Sequence, residues 1–247
     1  MKPGIHARVR ADPRAHTAGE GQRSSLLTMT GRPDSASDPL ASRDHVEGYL
    51  PEDDVLTAAR ASSAQRSCPP VSPAAGAGLR FLAGTIGARA VVEVGTGVGV
   101  SGLWLLGGMA GDGVLTSIDI DPEHQRAARQ AFTAAGYGPP RLRLINGMGL
   151  EVLPRLTDGG YDLVFVDAGA ADYPRYLDEA VRLLRGGGII ALHGVLTDGV
   201  LDPDVSDAGT AALREVARQA REDDRLIPVL LPLGGGLLAA VKRTTSG

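Results

Sequence analysis

Two carboxylates, an Asp–His pair and a run of alternating glycines are the residues of this 247-residue chain best suited to chemistry. The stretch VVEVGTGVGVSG, residues 91–102, sets Gly95, Gly97 and Gly99 at every second position after a β-branched apolar run. A turn of this kind leaves bare backbone and free helix-start N–H groups at the carboxyl edge of a sheet, where open α/β folds take their ligands. The spacing G-x-G-x-G departs from the dinucleotide pattern G-x-G-x-x-G, because Val100 stands where the third glycine belongs. Glu93, inside the strand, suits a cationic sulfonium or ammonium better than a diphosphate; the plainer reading is an acid capping nearby backbone donors. Asp119 closes the next strand, where an acid accepts from ribose hydroxyls unless it is merely a solvated strand end. Ser101 either bonds a ligand carboxylate or simply opens a helix.

These residues must be positioned by strands and helices in alternation. Apolar strands read at 90–94, 114–120, 141–145, 161–167 and 188–193, with amphipathic helices at 100–109, 122–135, 149–156, 173–185 and 207–222. That alternation is the signature of βαβ units and a parallel sheet. The C-terminus breaks it: RLIPVLLPLGGGLLAAVKR holds two apolar runs separated by a glycine triplet, too short for a parallel crossover. The last two strands are therefore predicted antiparallel, a feature of the class I S-adenosylmethionine-dependent methyltransferase fold and not of a nicotinamide-binding Rossmann domain. The expected architecture is α/β: a doubly wound seven-stranded sheet with an antiparallel last strand over residues 90–247. A helical extension at 46–89 and a disordered tail at 1–45 precede it.

Composition narrows the partners. An apolar fraction of 43% supports one α/β core, and no eighteen-residue apolar run offers a membrane span. Lys2, Arg8, Arg10, Arg14 and Arg23 make the first 28 residues basic, although the chain as a whole carries −4. The body is accordingly acidic, which argues against a nucleic-acid partner. The tail lacks the apolar segment of a secretory signal, so a cytoplasmic location is expected, and Met29 is an alternative start to Met1. Cys68 is the sole cysteine, which excludes a disulfide within the chain and reads as an ordinary reduced thiol.

VVEVGTGVGVSGLWLL, LTSIDIDPEHQRAARQAF and YDLVFVDAGAADYPRYLDEAVRLLRGGGIIALHG resemble the cation-dependent O-methyltransferases, which include the catechol and caffeoyl-CoA enzymes. Among these, the chain is most similar to a group of actinobacterial O-methyltransferases. The resemblance spans about Glu52 to Arg243. It implies S-adenosylmethionine contacts at Val71, Glu93, Gly95, Thr96, Gly97, Ser101, Asp119 and Ile120, a hydroxyl-bearing small-molecule acceptor of phenolic or catechol type, and a homodimer. It also implies a divalent cation on an Asp after the fourth strand and an Asp-Asn pair after the fifth, with a lysine as base.

Here the pattern changes. Asp167 keeps the first ligand position and remains a candidate for metal and acceptor binding, but His193, Gly194 and Ala170 replace the other three groups. The only lysines are Lys2 and Lys242, which removes lysine-assisted catalysis. Magnesium wants several oxygen ligands, so Asp167 with His193 suits it poorly, while zinc, manganese or iron with further ligands stays open. The alternatives are His193 as general base with Asp167 orienting it or the acceptor, and His193 as a bonded strand-end residue. The replaced groups also admit a second function, a cofactor-binding regulator without catalysis. Trp104, Leu105, Leu106, Tyr173 and Tyr176 read as packing residues, and Asp198, Asp202 and Asp204 as solvated acids that match no calcium loop.

Overall fold

The computed structural model describes residues 39–197 and 199–244. Seven strands form one sheet: β1 (Ala90–Val94), β2 (Val114–Asp119), β3 (Leu142–Asn146), β4 (Tyr161–Val166), β5 (Leu184–His193), β6 (Leu226–Leu231) and β7 (Leu237–Lys242). Their order is β3-β2-β1-β4-β5-β7-β6, and β7 runs antiparallel to both its neighbours. This is the class I S-adenosylmethionine-dependent methyltransferase topology, with the reversed strand that the short C-terminal connection requires.

Two apolar layers sandwich the sheet because β side chains alternate between its faces. Val91, Leu163, Phe165, Ile189 and Ala191 face one core, covered by α2 (Asp54–Ala64), α3 (Pro73–Thr85), α4 (Val100–Gly108) and α5 (Pro122–Ala134). Val92, Val94, Val164, Val166, Ile190 and Leu192 face the other. There they meet α7 (Tyr173–Leu183), α8 (Ala208–Glu222) and the turn after α6 (Gly149–Val152). The helices start where chain chemistry stops strands. Asp53, Ser72, Asp121 and Asp207 each accept a backbone N–H of the following turn, with Pro73 and Pro122 in the first turn of α3 and α5. Each such cap is worth about 1 kcal/mol.

Two boundaries differ from the sequence reading. A helix, α1 (Pro39–Glu47), occupies part of the stretch expected to be tail to residue 45. Its last residue explains why: the Glu47 carboxylate accepts from Ser72 Oγ (2.9 Å) and Ala74 N (3.0 Å), tying α1 to the start of α3. The rest of the predicted tail lies outside the described residues. Strand β5 begins at Leu184 rather than 188, because a register shift between Tyr161 and Leu163 lets Leu184 pair with β4 ahead of the regular ladder. Among the described residues no helix is long and apolar enough to cross a membrane.

Candidate cofactor and acceptor site

A cavity of about 410 Å³ opens at the carboxyl ends of β1, β2 and β4. Of the residues expected at the cofactor, Val71, Gly95, Thr96, Gly97, Ser101, Asp119 and Ile120 all line it, as does Asp167. The glycine turn reaches it by leaving β1 at Val94 and entering α4 through Gly99, which sits at φ 94°.

The three glycines are bare for different reasons. A Cβ on Gly95 would lie 1.9 Å from the Asp167 carbonyl oxygen, so this glycine admits the backbone that follows β4. A Cβ on Gly99 would lie 3.1 Å from both Ala128 Cα and the Phe132 ring, so this glycine admits α5. Only Gly97, at φ 49° and facing Cys68 Sγ, is bare toward the cavity. The reading that the whole turn is stripped for a ligand is therefore corrected. Two of the three glycines serve close packing of the chain against itself.

Asp119 holds that turn in place. Its Oδ2 accepts from Gly97 N at 2.8 Å and its Oδ1 from Asp121 N at 2.8 Å, leaving further acceptor positions on both oxygens. His124 Nδ1 stands 3.5 Å from the same Oδ1.

Glu93 is placed otherwise than the ligand reading expects. It is fully buried, does not line the cavity, and points into the core beneath α4. In-register pairing of Glu93 with Ser117 on β2 explains one contact: Ser117 Oγ donates to Glu93 Oε2 at 2.5 Å. Ser101 Oγ, on the first turn of α4, donates to Oε1 at 2.6 Å. Burial drives the carboxyl up to about 7, with the Asp167 and Asp119 charges adding to the rise and the two serine donors opposing it. Ser101, and not Glu93, is the member of the pair that touches the cavity. Thr96 is likewise internally engaged, its Oγ1 2.7 Å from Ser117 Oγ and accepting from Gln125 Nε2 at 2.9 Å.

Asp167 and His193 come together through strand register. Val166 on β4 pairs with Leu192 on β5, so the next residues along both strands lie side by side. His193 Nδ1 is 3.1 Å from Asp167 Oδ1. Tyr173 OH donates to the His193 carbonyl at 2.8 Å, and burial raises the phenol well above its ordinary value. His193 does not itself line the cavity, although its partner Asp167 does, and its Nε2 is buried with no hydrogen-bond partner among the described residues. Such an orphan costs on the order of 1–3 kcal/mol and calls for an explanation.

The same donor set answers the metal question. Among the described residues no group of three His, Cys, Asp or Glu side chains converges on a point. Gly194, at φ 79°, offers only backbone and donates its N–H to the Gly236 carbonyl; Ala170 sits in a short turn after β4. Asp202 and Asp204 are exposed in a loop pinned by Arg214, whose guanidinium donates to the carbonyls of Gly199, Val200 and Val205. Asp198 lies outside the described residues. One carboxylate and one imidazole already engaged with each other do not fit a divalent cation.

Some lining residues were invisible in the sequence. Cys68 and Pro69, from the loop before α3, close one side, and burial pushes the Cys68 thiol upward, with Asp119 and Asp167 adding to the rise. No local pattern announces a loop that folds over a distant turn. Met148 lies just after β3, and the rule that ligands gather at strand carboxyl ends could have found it. Tyr176 packs in the core as its spacing suggests, yet it also lines the cavity.

Comparison with known proteins agrees with this geometry. A family model described as O-methyltransferase matches residues 47–243. A Mycobacterium ulcerans protein named as an O-methyltransferase is 57% identical over 199 residues, 80% of this chain and 89% of that protein. A Mycobacterium tuberculosis protein named likewise is 53% identical over 218 residues, 86% of this chain and 97% of its own length. Among solved structures, the O-methyltransferase TomG of Streptomyces achromogenes, involved in tomaymycin synthesis and in complex with S-adenosylmethionine, has a TM-score of 0.74 at 28% identity; the match covers 82% of this chain and 96% of that one. An O-methyltransferase of Bacillus cereus in complex with S-adenosylhomocysteine also has a TM-score of 0.74, at 26% identity, covering 82% and 97%. With its sheet order, its strand-end cavity and its sequence all in accord, the chain belongs to the O-methyltransferase family.

Proposed function

We propose that this protein transfers a methyl group from S-adenosylmethionine to a hydroxyl of a small phenolic or catechol-like acceptor, with His193 as general base and without a resident cation. The observation that carries the reading is the His193 imidazole, engaged by Asp167 at Nδ1 and unpartnered at Nε2.

S-adenosylmethionine, when bound, would supply an electrophilic sulfonium methyl group, whose carbon bonds to the acceptor oxygen as its bond to sulfur breaks and S-adenosylhomocysteine leaves. Gly97, Asp119, Ile120 and Val71 line the part of the cavity suited to the nucleoside, and Ser101 with the free N–H groups at the start of α4 suits the amino-acid end. In the tautomer that donates Nδ1–H to Asp167, Nε2 keeps its lone pair, and an acceptor that uncovers this buried atom on binding beside Asp167 can pass it the hydroxyl proton. Asp167 then holds the imidazole in orientation and stabilises the charge it gains. The basic strength normally lent by a metal or lysine is thus assigned to one imidazole near neutral pH.

The test is turnover of a phenol and catechol panel, with and without a chelator, in the parent and in His193→Ala, alongside S-adenosylmethionine binding by calorimetry. The expected result is chelator-insensitive methylation that His193→Ala slows by about 10²–10⁴-fold while cofactor affinity is kept. Unchanged turnover in His193→Ala, or activity abolished by chelator, overturns this mechanism. Tight cofactor binding with no transfer to any acceptor would favour the regulatory reading instead.

The N-terminal helical layer supports a homodimer as the working assembly. Val46, Tyr49 and Leu50 around the end of α1, and Phe81 on α3, leave large apolar side chains exposed in this layer.

A further inference from the structure

His124, on the first turn of α5, lines the cavity beside Asp119. Its neighbour in the chain explains the placement. Gln125 is buried, and its Nε2 lies within hydrogen-bond distance of Thr96 Oγ1 (2.9 Å) and of the Ile145 (3.2 Å) and Ser117 (3.3 Å) carbonyls. That anchor fixes the start of α5 against the glycine turn and the ends of β2 and β3. Adjacent helical residues point about 100° apart, so with Gln125 turned inward His124 is left to face the cavity.

The imidazole stands between two carboxylates and hydrogen-bonds to neither. Nδ1 is 3.5 Å from Asp119 Oδ1, and Nε2 is 3.7 Å from Asp121 Oδ2. Both separations exceed the roughly 2.7–3.2 Å of an N–H···O bond. Asp119 itself is engaged but not saturated: Oδ2 accepts from Gly97 N and Oδ1 from Asp121 N, at 2.8 Å each, and each oxygen keeps acceptor capacity.

A ribose brings two neighbouring hydroxyls to this wall, and each both donates and accepts. Asp119 can take their hydrogens but has none to give. Hydroxyl lone pairs turned away from water then need a donor, since an unmet acceptor forfeits the hydration it had outside. The Nδ1 edge of His124 stands beside the very oxygen, Asp119 Oδ1, to which such a hydroxyl would donate. A hydroxyl seated between the two side chains bonds to both.

We infer that His124 is a specificity-determining residue for the nucleoside: with its hydrogen on Nδ1, it donates to the ribose hydroxyl whose own hydrogen goes to Asp119, so that an acceptor and a donor read the diol together. The inference rests on the cofactor reading above. It gives α5 a part in a site otherwise built from strand ends and loops, and it holds alike for S-adenosylmethionine and S-adenosylhomocysteine, which share the ribose.

Calorimetric titration of the full chain with S-adenosylhomocysteine and with its 2′-deoxy and 3′-deoxy ribose analogues tests it. His124→Ala should weaken S-adenosylhomocysteine about 3–10-fold, the worth of one hydrogen bond made in exchange for water. Against the analogue that lacks the bridged hydroxyl the same substitution should cost less than about twofold, while the other analogue shows the full loss. His124→Asn, whose amide nitrogen can stand where Nδ1 stands, should remain within about twofold of the parent. A histidine that merely steadies the start of α5 would cost the same with all three ligands. That result overturns the proposal, as do an undiminished affinity in His124→Ala and a loss in His124→Asn as large as in His124→Ala. His124→Phe, which keeps a ring and removes both nitrogens, makes the same comparison should the alanine variant fail to fold. No binding of S-adenosylhomocysteine by the parent would instead sink the cofactor reading itself.

Discussion

Glu93 is a single carboxyl whose sequence position suggests a ligand contact and whose burial makes it a stability term. Its folded value stands near 7 against an ordinary 4.5. A group raised in this way contributes stability that is complete below about pH 4.5 and is lost as pH rises through about 7. Without cofactor, the protein should therefore lose on the order of 3 kcal/mol of this contribution between pH 5 and pH 8. Urea unfolding at the two pH values checks the slope, and Glu93→Gln should abolish most of it. An equal slope in the variant would assign the pH dependence to other groups. The type and spacing of Glu93, Asp119, Asp167 and His193 were legible in the chain. Which of them faces the cavity was not, because a strand's alternation names a face while the helix packed there decides whether that face is solvent, ligand or core.

At the scale of elements, the glycine turn is a joint between β1, the backbone after β4, and α5. Gly95→Ala forces a Cβ against the Asp167 carbonyl at positive φ, so it should cost about 3 kcal/mol or more and displace Asp167. Gly97→Ala meets only Cys68 Sγ at 3.0 Å and should cost about 1–2 kcal/mol from backbone strain, with its larger effect on cofactor affinity. Chemical-denaturation midpoints and cofactor titrations of the two variants check this ranking; equal costs would refute the division of labour among the glycines. Strands β1 to β4 were legible to within a residue, since short apolar runs set between turn residues and amphipathic helices leave little choice. Helix α1 was not, because its anchor is Glu47 reaching the start of α3, a contact no local window contains.

For the whole molecule, the helical layer formed by α1 to α3 does two things. It supplies Cys68, Pro69 and Val71 as one wall of the cavity, and it carries the exposed Tyr49 and Phe81. If these surfaces pair two copies, sedimentation should give a dimer that the double substitution Tyr49→Asp, Phe81→Asp converts to a monomer with the sheet intact. A wild-type monomer at micromolar concentration would dispose of that assembly.

The amino-acid order by itself determined the alternation of strands and helices, the reversal at the C-terminus and the strand-end location of the site, because hydrophobic period and connection length are local quantities. It also confined lysine to positions 2 and 242. Tertiary structure alone decided that Glu93 turns inward, that two of three glycines admit backbone, and that Asp167 meets His193. Each of these depends on register and close packing between segments far apart in the chain, where a shift of one residue would send every side chain to the opposite face.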